Sequence, residues 1–187
     1  MRSSADVERV LASATAEIVA RARARAARAP VILIDGRSGA GKTTLAARVA
    51  GALDAHVLAL DSVYPGWDGL AAGAEIVRRG VLEPRAHGRP GCWPRWDWTR
   101  DRVAEEREVP VDVPLVVEGA GVLTPASRML SDVQVWVESP TGSRRERALD
   151  RDGDAYRPHW ERWAAQEEAH IRAHDPASLA VIIVDVP

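Results

Sequence analysis

Five short runs of uninterrupted apolar sequence, rich in β-branched residues, limit what this 187-residue chain can become. They lie at 31–34 (Val-Ile-Leu-Ile), 56–60, 113–117, 133–137 and 179–184, and the first four end at Asp35, Asp61, Glu118 and Glu138. A strand with one wet face alternates in polarity. A continuous run predicts a strand covered on both faces, hence a parallel sheet held between helices. The intervening stretches have helical spacing: 43–53, with Leu45, Val49 and Leu53 on one stripe, 72–79 ending at Gly80, 143–150 and 157–174. Residues 4–29 add a leading helix, with Ser3 or Ser4 as cap and Pro30 as stop. Its Arg21, Arg23, Arg25 and Arg28 read as a solvated face. The expected fold is α/β, a mostly parallel sheet of about five strands in a three-layer sandwich. The segment 83–99, rich in Pro, Gly, Arg and Trp, is expected as a loop or small insert.

Composition narrows the function classes. With 46% hydrophobic and 28% charged residues the chain can bury a core without staples, and a net charge of −2 offers no basic field for bulk nucleic acid. Its single cysteine, Cys92, excludes an internal disulfide framework. No apolar run approaches the ~20 residues of a membrane span, and no signal-peptide pattern opens the chain, so a cytoplasmic protein is expected. Phe and Asn are absent, and one Lys stands against 24 Arg.

That lysine is Lys42. It falls within Gly36-Arg37-Ser38-Gly39-Ala40-Gly41-Lys42-Thr43-Thr44, which fits G-x-x-x-x-G-K-[ST] between a strand and a helix. Glycines let successive backbone N–H groups turn inward onto phosphate oxygens, and the helix start adds its positive dipole end. Lys42 would reach the β- and γ-phosphates of ATP, and the Thr43 hydroxyl would ligate Mg²⁺. A chance match at this composition is about one in two thousand. A ligand-free glycine turn would not explain why the one ammonium in an arginine-using chain stands here. Guanine-specific readers use Asn-Lys-x-Asp, which cannot exist without Asn or a second Lys. Small ATP-dependent enzymes remain.

At the end of the second run comes Asp61-Ser62-Val63-Tyr64. Together with the glycine loop it resembles the uridine kinase and phosphoribulokinase group of P-loop kinases, in which an Asp-Ser-Phe-Tyr element follows the second strand. Trp96-Asp97-Trp98 resembles that group's Tyr-Asp-(Phe/Tyr) acceptor segment, and 115–119 (Leu-Val-Val-Glu-Gly) its Glu-Gly strand end. Arg144, Arg147, Arg151 and Asp152 fall in register with its arginine-rich lid, and 180–183 with its last strand. The resemblance spans 31–184 and implies a P-loop NTPase fold in one domain, with an acceptor-site insert at 65–100 and a lid at 142–158. It implies Asp61 as the base for an acceptor hydroxyl and Glu118 near the magnesium. It also implies Tyr64, Trp67, Trp96, Asp97 and Trp98 around a nucleoside-like acceptor, with Arg144, Arg147 and Arg151 closing on the phosphates. The group's Asp-His-Pro sugar element is missing, and Pro65-Gly66-Trp67-Asp68-Gly69 and 85–89 stand there instead. Uridine is therefore not carried over.

Each of these residues also has a plainer reading. Asp61 can cap the turn after its strand, and Glu118 can be a structural acid beside the loop. Arg144, Arg147 and Arg151, at i, i+3 and i+7, can form a solvated face. Trp67, Trp93, Trp96 and Trp98 either line an acceptor cleft or pack a small apolar cap, while Trp136, Trp160 and Trp163 read as core. His170 and His174 read as exposed helix residues. The expected activity is ATP- and Mg²⁺-dependent phosphoryl transfer to a hydroxyl of a small nucleoside-like molecule, by a monomer or small homo-oligomer without nucleic-acid or membrane partners. The alternatives are a nucleotide-binding regulatory or assembly protein without a small acceptor, and a kinase of a non-nucleoside metabolite.

Overall fold

A computed structural model describes residues 4–25 and 29–187, without the side chains of residues 4, 151, 152, 154 and 155. The cap at Ser3 and the cation at Arg28 lie outside the described residues. Five parallel strands form the sheet in the order β2-β5-β1-β6-β7: β1 (Val31–Gly36), β2 (His56–Ala59), β5 (Leu115–Glu118), β6 (Val133–Glu138) and β7 (Ile182–Asp185). Continuous apolarity in the central strands has the expected cause, since every residue of β1 and β5 is buried. Along β1, Ile32 and Ile34 face a core built with α1 (Ser4–Arg25) and α2 (Lys42–Leu53), which supply Leu11, Ile18, Leu45 and Val49. Val31 and Leu33 face the opposite core, with Leu70 and Val77 of α3 (Leu70–Val77) and Trp160 and Trp163 of α7 (Trp160–His174). Alternating neighbours on a uniformly apolar strand are the signature of a covered sheet.

Three boundaries differ from the sequence expectation. Helical backbone does not stop at Gly80 but continues from α3 through a π-turn (Arg78–Leu82) into α4 (Glu83–Ala86). A Cβ on Gly80 would collide with the Cys92 carbonyl oxygen, so this glycine marks a close approach of helix to strand, not a terminus. The segment 83–99 is not a loop: it holds α4 and β3 (Gly91–Asp97), which pairs antiparallel with β4 (Arg102–Val109). Arg85, expected in that loop, is buried with its guanidinium on the Pro110 and Val113 carbonyls. Pro94 pairs with Glu106 without an N–H to give, a register shift follows between Pro94 and Trp96, and β4 is largely charged and exposed, so neither strand carries an alternating pattern. Leu179 closes α8 (Pro176–Leu179), and the last strand begins only at Ile182.

Two further helices complete the chain, the short α5 (Pro125–Arg128) and α6 (Thr141–Tyr156). Register places Glu118 beside Ile34 on one side and Ala59 on the other. The chain leaves the three neighbouring strands β2, β5 and β1 at their carboxyl ends on the same side of the sheet, where open α/β sheets bind ligands.

Candidate functional site

The glycine loop joins β1 to α2. Gly39 and Gly41 have φ of 76° and 106°, a left-handed region that costs a side chain roughly 1–2 kcal/mol. Gly41 is the residue before α2 and offers no side-chain cap, so no side chain of its own closes off the helix's first amides. Lys42, only 8% exposed, donates from Nζ to the Arg37 carbonyl at 3.1 Å, and the Ala40 amide donates to the same oxygen at 3.1 Å. The Thr43 hydroxyl donates to Glu118 Oε1 at 3.1 Å, and Glu118 is buried at the end of β5. Thr44 follows on an exposed position of α2.

Asp35, the acid ending the first apolar run, is fully committed. Oδ1 accepts from the Gly36 and Gly121 amides at 2.6 and 3.0 Å, and Oδ2 from the Leu123 amide at 2.8 Å. His170 Nε2 lies 3.1 Å from Oδ2, and the residue is buried behind the loop, correcting the expectation that it is exposed. Asp61 is the opposite case. It is exposed on the turn Leu60–Ser62, and its carboxylate makes no hydrogen bond to the described residues, so it caps no turn.

A cavity of about 640 Å³ connects the two regions, lined by Ser38, Asp61, Trp67, Arg95, Trp96 and Trp98 among others. Its aromatic wall is extensive. Trp67 stacks on Tyr156 and His159 with interplanar angles of 14°, and Trp163 meets the Trp67 and Tyr64 rings edge-on. Trp98 donates from its indole N–H to the Asp61 carbonyl at 2.6 Å, tying the β3–β4 hairpin to the turn that carries the acid. The Trp96 indole N–H is buried without an acceptor among the described residues. The Tyr64 hydroxyl donates to the Ala120 carbonyl at 2.7 Å. Burial, and then the carboxylates of Asp61, Asp35, Glu118 and Glu167, push that hydroxyl far above its ordinary range.

Several expected site residues fall elsewhere. Asp97 does not line the cavity: Oδ1 accepts from the Thr99 and Arg100 amides, both at 3.1 Å, so it caps the hairpin turn. That is ordinary Asx chemistry. Trp93 is core, edge-on to His56 at 5.9 Å. Arg144 and Arg147 do not form a solvated face; both donate to backbone carbonyls of the loop. Arg144 Nη1 donates to Ser38 O at 3.3 Å, and Arg147 Nε to Gly39 O at 2.8 Å. Burial lowers both guanidinium pKa values from the usual arginine range. The Arg151 side chain lies outside the described residues. Conversely, sequence reasoning passed over Arg95, Tyr156 and Trp163 as cavity lining, and Glu167, whose Oε1 accepts from the Ser38 amide at 2.6 Å. Trp163 carried a usable signal in its helical spacing from Trp160 and Tyr156. Glu167, in an acid-rich helix, carried none.

No protein-family model matches the chain, and no curated protein matches it at a significant level. Solved structures do. A protein from Bacillus stearothermophilus described as a possible uridine kinase superposes with a TM-score of 0.70 at 19% identity, covering 96% of this chain and 100% of its own. One from Silicibacter sp. TM1040, provisionally described as a fructose transport system kinase, gives 0.56 at 21% identity, over 92% and 98%. The chain has the P-loop kinase fold. Along almost its whole length the architecture follows that of the possible uridine kinase.

Proposed function

We propose that the protein is an ATP- and Mg²⁺-dependent phosphotransferase acting on a hydroxyl of a small, neutral, nucleoside-like acceptor. The observation that supports this best is one continuous cavity that runs from Ser38 of the glycine loop to Asp61, whose carboxylate has no hydrogen-bond partner among the described residues, between tryptophan walls. A phosphate donor at one end and a planar acceptor at the other need that continuity.

Each part has a stated job. Gly36 to Thr44 would hold the triphosphate through backbone amides and Lys42. The ligand fits the chemistry of the loop, which has glycines at the left-handed positions and an ammonium already folded against the loop interior. Thr43 and Glu118 would hold Mg²⁺, which stabilises charge on the transferring group when bound. Among the described residues no group of three or more His, Cys, Asp or Glu converges on a metal position. Asp61 would accept the proton of the attacking hydroxyl, and Trp67, Trp96 and Trp98 would hold the acceptor's ring and exclude water.

The test is a transfer screen over nucleosides, sugars and small alcohols with MgATP, followed by Asp61→Asn on the best acceptor. Removing a general base is expected to lower the rate about 10²- to 10⁴-fold with acceptor affinity retained. Full activity in Asp61→Asn would remove the carboxylate from the reaction.

A further inference from the structure

The tip of the glycine loop is held from outside at three backbone groups of two successive residues, Ser38 and Gly39. Glu167 of α7 accepts from the Ser38 amide at 2.6 Å. Arg144 of α6 donates to the Ser38 carbonyl at 3.3 Å, and Arg147 to the Gly39 carbonyl at 2.8 Å. The holders are themselves fixed. Arg144, 4% exposed, donates through Nε to Ser139 O at 3.0 Å and through Nη2 to Thr141 Oγ1 at 3.3 Å. Arg147 also donates to Pro187 O at 3.0 Å and to the Ser139 hydroxyl. Glu167 is 4% exposed and is the foremost charge partner of Arg144. Loop and helix touch so closely that a Cβ on Gly39 would collide with the Arg144 carbonyl oxygen.

In a trans peptide the C=O and the following N–H point in opposite directions. Drawing the Ser38 and Gly39 carbonyls toward α6 therefore turns the Gly39 and Ala40 amides the other way. That is the side where the Ala40 amide and Lys42 Nζ already meet on the Arg37 carbonyl. We infer that Arg144, Arg147 and Glu167 form a clamp on the back of the loop that sets its amides before a nucleotide arrives. They are positioning residues, not phosphate ligands. The role needs Arg at 144 and 147, because each guanidinium serves three acceptors in fixed directions and an ammonium on a flexible stem does not. Pre-set donors avoid an ordering cost when the ligand binds, so loosening the clamp weakens affinity without any contact being lost.

The affinity arm of the test rests on the nucleotide reading above; the exchange arm does not. Hydrogen exchange at the Ser38 amide is measured in ligand-free protein, and MgADP affinity by calorimetry, for the wild type, Glu167→Ala, Glu167→Gln, Arg147→Ala and Arg147→Lys. Glu167→Ala is expected to speed Ser38 exchange at least tenfold and weaken MgADP about tenfold. Glu167→Gln, which keeps an acceptor oxygen, restores most of both. Arg147→Ala weakens MgADP by a similar factor, and Arg147→Lys does not rescue it. A role confined to folding would lower the melting temperature and leave MgADP affinity of the folded protein unchanged. That result overturns the clamp, as does a loss of turnover with MgADP affinity intact, the mark of a direct phosphate contact. Should Glu167→Ala not fold, Arg147→Ala and Arg147→Lys carry the affinity readout, and a wild-type Ser38 amide that exchanges at the unprotected rate overturns the clamp. Fast Ser38 exchange in Glu167→Ala alongside a wild type that binds no MgADP would uphold the clamp and sink the nucleotide reading.

Discussion

The Thr43 hydroxyl, one residue into α2, donates to Glu118 Oε1 at 3.1 Å across the gap between the ends of β1 and β5. A neutral hydroxyl and a buried carboxylate facing each other leave lone pairs on both oxygens for a hard cation between phosphate and protein. Glu118→Ala is expected to shrink, by threefold or more, the advantage of MgATP over ATP with EDTA in binding calorimetry. An unchanged difference would make Glu118 a structural acid only.

Gly39 tests the closeness of the loop to α6. Alanine there meets both the left-handed φ of 76° and the Arg144 carbonyl, whereas a Cβ on Gly142 would meet nothing within 4 Å and the φ there is ordinary. Gly39→Ala should cost at least the ~1–2 kcal/mol of the backbone term, a fall of several degrees in melting temperature at this chain length. Gly142→Ala should leave the melting temperature the same or raise it. Scanning calorimetry of the pair compares them directly.

His56 links pH to stability at the sheet edge. Its burial against Trp93, and then the Arg85 charge, lower its pKa below 6.5, so the folded state resists protonating it. The sign follows from linkage: the unfolded chain takes the proton first, so this contribution is present above pH 6.5 and is lost as pH falls through the depressed folded value. Wild type should lose more stability between pH 7 and pH 5 than His56→Gln in urea titrations. Equal losses would remove His56 as the source.

The five-stranded parallel sheet was legible because burial on both faces imposes unbroken apolar runs, and the loop because phosphate binding demands glycines and a lysine at fixed spacing. The β3–β4 hairpin was not. Its outer strand, 102–109, is charged because it faces water, and Pro94 and Gly91 read as loop punctuation. Asp97 misled because a turn cap and a binding carboxylate look alike in sequence; only the Thr99 and Arg100 amides at 3.1 Å separate them. The destinations of Arg144 and Glu167 were unreadable for another reason. Both contacts join segments more than a hundred residues apart in sequence, and periodicity says nothing about which backbone carbonyl a guanidinium will find.

The most direct measurement is calorimetric titration of the wild type and Lys42→Ala with MgATP and MgADP. A charge-assisted hydrogen bond contributes about 1.5–3 kcal/mol, so removing the ammonium should weaken binding roughly ten- to a hundredfold while the wild type binds both nucleotides. No heat from the wild type, or equal affinities in the two proteins, would contradict a phosphate-gripping role for the loop.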